Sequence, residues 1–319
     1  MRRLELDKAF SNRIIDKRIP QKDAMLYTIA SHAGKGTLSS FQVMPGVEVI
    51  YNDVELHIPF HRAMNLNVDC MEITYCLKGR LEVELKNQKY AYMADGDVSL
   101  FGYQAEIVSC DFSLKPFTGV TIMVYLPEIT QSLNVMLGSN EFHPRTFFQN
   151  VFSSDTCIIR HADQSLEHIF KELFVLPEAY RNYLMKLKVV ELLLYLMSGA
   201  DYRENKAIYF PKASVDKIKE ARQIILSSID RHITVRELSQ TVGMNTTDLE
   251  KGFKHVYGYT IFALSKQCKM RKAKELLSDH NLSVLDVALR CGYGNAGKFS
   301  HAFKEAFGIA PLQYRKAQG

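Results

Sequence analysis

The feature that most constrains this chain is written twice near its C-terminus: residues 233–262 and 282–312 repeat one helix-turn-helix unit. Thr234, Leu238 and Gly243 fall on Ser283, Val287 and Gly292 at an offset of 49. Past the turn, Leu249, Phe253, Val256, Tyr257 and Gly258 fall on Phe299, Phe303, Ala306, Phe307 and Gly308 at an offset of 50, so the second turn carries one extra residue. In each copy a hydroxyl residue with a carboxylate three places on marks a helix start: Thr234 with Glu237, and Ser283 with Asp286. Gly243 and Gly292 follow a short apolar helix where positive φ is often needed, and they supply the turn.

In the helix after each turn, apolar residues recur at i, i+4, i+7 and i+8 and form one stripe toward a core. The opposite stripe is Thr247, Glu250, Lys251 and Lys254 in the first copy, and Gly297, Ser300, His301 and Lys304 in the second. These are groove-sized side chains that hydrogen-bond or carry positive charge. Residues 260–279, free of Gly and Pro, predict a single connecting helix of roughly 30 Å at about 1.5 Å per residue. That length is close to the roughly 34 Å between successive major-groove faces on one side of B-DNA.

Ala273, Leu276 and Leu277, followed by Val287, Ala288, Gly292, Tyr293, Phe299, Phe303, Lys304, Phe307, Gly308, Pro311, Tyr314 and Arg315, resemble the C-terminal domain of the AraC/XylS transcriptional regulators. The resemblance covers about residues 215–316 and is only architectural before that. Two departures stand out. The run Tyr293-Gly294-Asn295-Ala296-Gly297 is glycine-rich for the start of a recognition helix, which would loosen it or reduce its base contacts. Thr247 is small where larger side chains often reach the groove.

Charge is distributed accordingly. The formal net charge is +5, yet from Lys212 onward 18 Lys and Arg face 10 Asp and Glu, leaving 22 of the 40 basic and 25 of the 35 acidic residues in the first 211. A basic excess alone is usually just a solvated face; combined with the duplicated motif it points to nucleic acid. An apolar content of 47% and 319 residues allow two domains with sizeable cores and exclude wholesale disorder. The six cysteines, at 70, 76, 110, 157, 268 and 291, show no metal-ligand spacing and read as reduced core residues. The N-terminus has no apolar leader and no apolar run is long enough to span a bilayer, so a cytoplasmic protein is expected.

Between about residues 38 and 126 short β-favouring runs predict a small antiparallel sheet domain: 47–51, 72–77, 81–85, 90–92, 98–101 and 119–126. Lys78-Gly79-Arg80 and Asp95-Gly96-Asp97 read as hairpin or tight-turn sites. The ordering resembles the cupin-like barrel that many AraC-type regulators carry as a sensor, and this implies a small-molecule effector. Tyr51, Tyr75, Tyr92 and Tyr103, with Phe101, are candidates to line its pocket, although they equally suit a filled core. Glu72 stands where a cupin metal ligand would, but no His pair accompanies it, since His57 and His61 are four apart and upstream. No metal site, cofactor or catalytic set is therefore expected.

Residues 162–199 turn helical, with Pro177 expected to open the last helix and an apolar stripe at Tyr180, Tyr183, Leu184, Leu187, Val190, Leu194 and Met197. In the family such helices pair between subunits, which implies a homodimer. Residues 201–214 break the pattern and read as a linker. The expected class is α+β: a cupin-like, effector-sensing and dimerising domain over 1–200, then an all-α DNA-binding domain over 215–316, with its two units at about 234–257 and 283–307. The resulting reading is a sequence-specific regulator of transcription, by resemblance an activator, not an enzyme, with double-stranded DNA and RNA polymerase as partners and no membrane. Thr247, Glu250 and Lys251 are expected on base edges in one groove and Asn295, Lys298 and His301 in the next, with Thr246, Lys254, Arg290 and Lys304 on phosphates. Two other readings stay open: a cupin-type metal enzyme with a helical assembly domain, and an effector-independent DNA-binding regulator.

Overall fold

A computed structural model describes residues 14–58, 70–102, 107–152, 157–198 and 208–317. The chain divides into two compact units between Pro211 and Lys212.

The first unit is built on strands β1 (Ile15–Pro20), β2 (Met25–Ile29), β3 (Gly34–Met44), β4 (Val47–Leu56), β5 (Cys70–Leu85), β6 (Lys89–Ala94), β7 (Asp97–Phe101), β8 (Ile107–Tyr125), β9 (Cys157–His161) and the two-residue β10 (Phe210–Pro211). They form one sheet in the order β1-β2-β3-β4-β8-β5-β6-β10, and β7 bridges β5 to β9. Every pairing is antiparallel.

Period-2 alternation gives the sheet two apolar faces. Val47, Val49, Met71, Ile73, Tyr75, Val120, Ile122 and Val124 face one core, and Ile50, Val54, Cys76, Val83, Phe117 and Met123 face the other. The first face is covered by helices α1 (Leu126–Leu137), α2 (Pro144–Val151), α3 (Gln164–Leu173) and α4 (Arg181–Met197). Asp163 caps α3 through bonds from the Ser165 and Leu166 N–H groups at 3.1 and 3.0 Å, and it also accepts from Tyr195 Oη of α4 at 2.9 Å, so one carboxylate joins two helices.

Three expectations are corrected here. Asp95-Gly96 does form a turn, with Gly96 at φ +82°, but Lys78-Gly79-Arg80 does not. β5 runs straight through it, because Gly79 at φ +120° lies against the β8 backbone, where a Cβ would stand 2.1 Å from Pro116 O. The pairing register slips there, so the glycine makes a bulge instead of a hairpin. Secondly, Pro177 precedes a 3-10 turn (Glu178–Tyr180), and α4 begins only at Arg181. This helix buries Met185, Val189, Val190, Leu192, Leu193 and Leu196, while Tyr180, Tyr183 and Leu187 of the expected stripe face outward. Thirdly, the segment read as a linker is ordered at its end: Phe210 and Pro211 pair with Tyr90 and Lys89, and a helix starts at Lys212. Residues 201–207 lie outside the described residues, as do Tyr103 and His61.

The second unit comprises α5 (Lys212–Ser227), α6 (Val235–Val242), α7 (Thr246–Tyr257), α8 (Ile261–Leu277), α9 (Val284–Arg290), α10 (Ala296–Phe307) and α11 (Pro311–Lys316). α5 packs on α6, α7 and α8; α8 packs in turn on α9, α10 and α11. The duplication therefore extends to three helices, α5-α6-α7 and α8-α9-α10, with α8 shared. The second triad closes over Met270, Ala273, Leu277, Val287, Ala288, Cys291, Phe299, Ala302 and Phe303. α8 has 17 residues, fewer than the 260–279 expected, because Thr260 is spent as its N-cap and Ser278 closes it. At about 1.5 Å per residue it spans roughly 25 Å.

Phe253 and Phe303 occupy equivalent, fully buried positions in the two triads. Truncating either to Ala should lower the unfolding free energy by about 3–5 kcal/mol, read by chemical denaturation; a loss under about 1 kcal/mol would contradict their core placement.

Candidate nucleic-acid interface

Each unit aims its second helix by the same set of backbone bonds. Thr234 Oγ1 accepts from Glu237 N, and Ser283 Oγ from Asp286 N, both at 3.1 Å. In the second copy the Asp286 carboxylate also accepts from Ser283 N at 2.9 Å, which completes a capping box; the Ser283 hydroxyl at 2.6 Å, and then this N–H, hold its pKa below the usual carboxylate range. In the first copy Glu237 instead takes Arg231 at 2.6 Å, and this bond holds its carboxyl low.

At the turns Gly243 and Gly292 adopt φ +64° and +69°. Gly243 N donates to Gln240 O at 3.3 Å and Met244 N to Ser239 O at 3.0 Å; Gly292 N donates to Leu289 O and Tyr293 N to Ala288 O, both at 2.9 Å. This is the same paired closure of a helix end twice over. Past it, Asn245 Oδ1 accepts from Asp248 N and Asn295 Oδ1 from Lys298 N, each at 2.8 Å, so both second helices start on an asparagine cap.

α7 and α10 are each 12 residues long, so the glycines at 294 and 297 do not shorten α10. Both are open sites, with nothing against Gly294 and only the Asn295 side chain near Gly297.

All ten residues expected at DNA are exposed: Thr246, Thr247, Glu250, Lys251 and Lys254 on α7, Arg290 at the end of α9, Asn295 at the cap of α10, and Lys298, His301 and Lys304 on α10. Apart from Arg290 they fall into two groups, one on each second helix or its cap, on the faces opposite the buried Leu249, Phe253 and Val256 and opposite Phe299, Ala302 and Phe303. Asn295 differs from the expectation in one respect: its carbonyl is engaged in the cap, which leaves its amide N–H groups to face a ligand.

Sequence reading missed a pair of lysines behind the turns. Lys217 of α5 donates to Gly243 O at 2.8 Å, and Lys269 of α8 donates to Gly292 O at 3.4 Å. They stand 52 apart while the glycines stand 49 apart, so the offset of the repeat does not pair them and the sequence carries no signal for them.

Of the four candidate tyrosines of the sheet unit, Tyr103 lies outside the described residues, and the other three do not come together. Tyr51 Oη donates to Leu173 O at 2.7 Å, and its ring packs edge-on to Phe41 and Phe174 beneath the helices; burial pushes its pKa up to about 12. Tyr75 stacks on Phe170 at 4.7 Å on the same face. Tyr92 donates instead to Glu82 at 2.7 Å.

A polar row does share the opposite face. Ser40 donates to Glu48, Asn52 Nδ2 to Thr121 Oγ1 at 3.0 Å, and Thr74 lies 3.0 Å from Thr121 and 3.1 Å from Glu72. Ser99, directly opposite Thr74 in the ladder, is fully buried, and its Oγ has no hydrogen-bond partner among the described residues. Among those residues no three His, Cys, Asp or Glu side chains converge on a point that could hold a metal. The six cysteines are buried and unbridged, and burial pushes the thiols of Cys76 and Cys291 up to about 12 and 11. No helix of the described residues is long and apolar enough to cross a membrane.

Two capped helices, repeated in one basic unit with polar faces outward, define a helix-turn-helix DNA-binding module. The family description of a helix-turn-helix domain matches residues 238–317. The xylose operon regulatory protein of Escherichia coli (strain K12) is 33% identical over 96 residues, 30% of this chain and 24% of that one. The transcriptional activator RhaR of Mannheimia succiniciproducens is 24% identical over 123 residues, 39% of this chain and 43% of that one. The solved C-terminal domain of AraT, a response regulator from Geobacillus stearothermophilus, is 30% identical over 32% of this chain and 84% of that one, with a TM-score of 0.31. The chain thus matches about a quarter to under half the length of these curated relatives. Its C-terminal segment is a domain of the AraC/XylS family.

Gly243→Ala should cost about 1–2 kcal/mol, the penalty of a Cβ in the left-handed region, since only Lys217 Nζ lies nearby at 3.8 Å. Gly292→Ala should cost more, because its Cβ would stand 2.6 Å from Lys269 Nζ and 3.1 Å from the Arg231 backbone. Denaturant midpoints of the two variants measure the difference, and equal losses would contradict it.

Proposed function

We propose that this protein is a DNA-binding regulator of transcription whose C-terminal unit reads two successive major-groove segments. The observation that carries the reading is the paired geometry itself: two 12-residue helices, each started by an asparagine cap behind a left-handed glycine turn, each with its exposed face polar and its other face buried. A helix offered in this way fits the major groove, and Thr247, Glu250 and Lys251 on α7, with Asn295, Lys298 and His301 at α10, are the groups in reach of base edges. In this reading the exposed Thr246, Lys254, Arg290 and Lys304 take phosphates, which positions the module without reading sequence.

The N-terminal unit is proposed as a cupin-like, effector-sensing and dimerising domain. The polar row of buried Ser40, Glu48, Thr74 and Ser99 and half-buried Asn52, Glu72 and Thr121 supports a ligand-facing wall better than the tyrosines do. The outward Tyr180, Tyr183 and Leu187 beside α4 support pairing of two copies. An effector would act by binding one arrangement of the protein more tightly than another. Activation, as in the RhaR relative's printed name, with RNA polymerase as partner, is proposed for this chain too.

Fluorescence anisotropy of the full chain on its own upstream intergenic DNA, against an unrelated duplex of equal length, tests the reading across a salt series. Specific binding should exceed non-specific binding by at least about a thousandfold and fall steeply with salt as counterions are released from phosphate. Equal binding to both duplexes with any small molecule tested would contradict it. Lys251→Ala should cost about 1–3 kcal/mol on the preferred duplex alone; an equal loss on every duplex would make Lys251 a phosphate contact.

A further inference from the structure

The two turns are alike in backbone and unlike in surroundings. Against the Gly243 position nothing lies closer than the Lys217 ammonium, and that lysine hydrogen bond is exposed. The Gly292 turn is covered. The Arg231 backbone, from the loop between α5 and α6 of the first triad, lies where a Gly292 Cβ would be 3.1 Å from both its N and its carbonyl carbon. Lys269, only 6% exposed, sits beneath, with its ammonium 3.4 Å from Gly292 O and 5.6 Å from the centre of the Tyr293 ring.

The groups facing this ammonium come from two segments: the Asp230 carboxylate in the covering loop, and the Cys291 thiol and Gly292 carbonyl at the turn. Burial lowers the lysine's pKa, partly offset by Cys291 and Asp230. The Arg231 side chain meanwhile reaches Glu237 at 2.6 Å, in the first turn of α6. An unbroken chain of contacts therefore runs from the first helix-turn-helix unit, through Glu237, Arg231 and Gly292, to Lys269 and Tyr293 in the second.

A desolvated cation needs all of its partners to stay in place, because losing any one leaves a buried charge uncompensated. Moving the covering loop and the turn apart would unpair that charge, which favours the arrangement seen at this seam. A neutral, flexible side chain of similar length would not impose it.

We infer that Lys269 is a positioning residue that locks the two recognition helices into one relative orientation, and that it thereby sets the spacing of the two DNA half-sites the protein accepts. The inference rests on the DNA-binding reading for its second half only. Lys269 touches no DNA in this account, and it acts through the Gly292 turn.

The test begins without DNA. In the full chain, Lys254→Cys and Lys304→Cys place nitroxide labels at equivalent exposed sites on α7 and α10, and with excess unlabelled native chain added, so that paired copies contribute no further distances, electron-electron double resonance reads the distance between them. The native cysteines are buried and stay unlabelled. A narrow, single distribution is expected in the otherwise native chain, and a broad or split one with Lys269→Met added, with recovery by Lys269→Arg. A native distribution that is itself broad overturns the proposal, whether or not the variant folds, and so does an unchanged width in a folded Lys269→Met protein.

The second arm, with unlabelled protein, uses a duplex selected from a randomised pool. Adding or removing one base pair between its half-sites should weaken native binding by at least about tenfold, because a rigid pair cannot engage both sites out of register. That penalty should shrink in Lys269→Met while affinity for a single half-site stays unchanged. An undiminished penalty overturns the proposal. Failure to select any duplex counts against the DNA reading instead, and the distance arm still decides the seam.

Discussion

Each recognition helix is aimed by one left-handed residue. A first helix must stop, reverse its unpaired carbonyls into new bonds, and release the chain at an angle that lets a second helix stand clear of the core. A residue with a Cβ pays for positive φ at such a place, and glycine does not. Gly243 and Gly292 therefore fix where α7 and α10 point, and all the residues expected to meet DNA except Arg290 lie on those two helices or at their starts. The asparagine caps and the phenylalanines at 253 and 303 hold what the turns have set: one group satisfies the first N–H groups, the other fills the space behind.

The duplication is close in backbone and divergent in setting, and the divergence is informative. α8 belongs to both triads, as the last support of the first and the first helix of the second. Only the second turn is roofed by the other triad, and only its lysine is buried. The first turn has no preceding triad to roof it, whereas the second meets the loop of the first, and on the proposed reading this contact makes the pair one binding surface.

Much of the DNA-binding unit was legible in the residues because its determinants are local. Caps, glycine stops and a 3.6-residue apolar period are all written within a dozen positions, so Thr234, Ser283, Gly243, Gly292 and the ten exposed side chains could be read directly. What could not be read was long-range. The Lys78-Gly79-Arg80 run carries turn chemistry, yet its glycine serves a close approach to Pro116 some 37 positions on, and only the pairing of β5 with β8 shows that. The tyrosines of the sheet unit were good pocket candidates by type, but strand alternation sends Tyr51 and Tyr75 under the helices and leaves a polar row on the other face. α4 failed in a similar way: its apolar positions surround most of the helix, so period alone could not say which of them the sheet would take. The two lysines behind the turns were invisible because their partner atoms are backbone carbonyls, which no side-chain pattern encodes.

The most direct test of the central claim is a hydroxyl-radical footprint of the full chain on a duplex selected from a randomised pool. The account predicts two protected patches on one face of the duplex, their centres about one helical turn, roughly 10 base pairs, apart. A single patch, or two patches on opposite faces, would mean that the two recognition helices are not presented as a pair, and the account would fail.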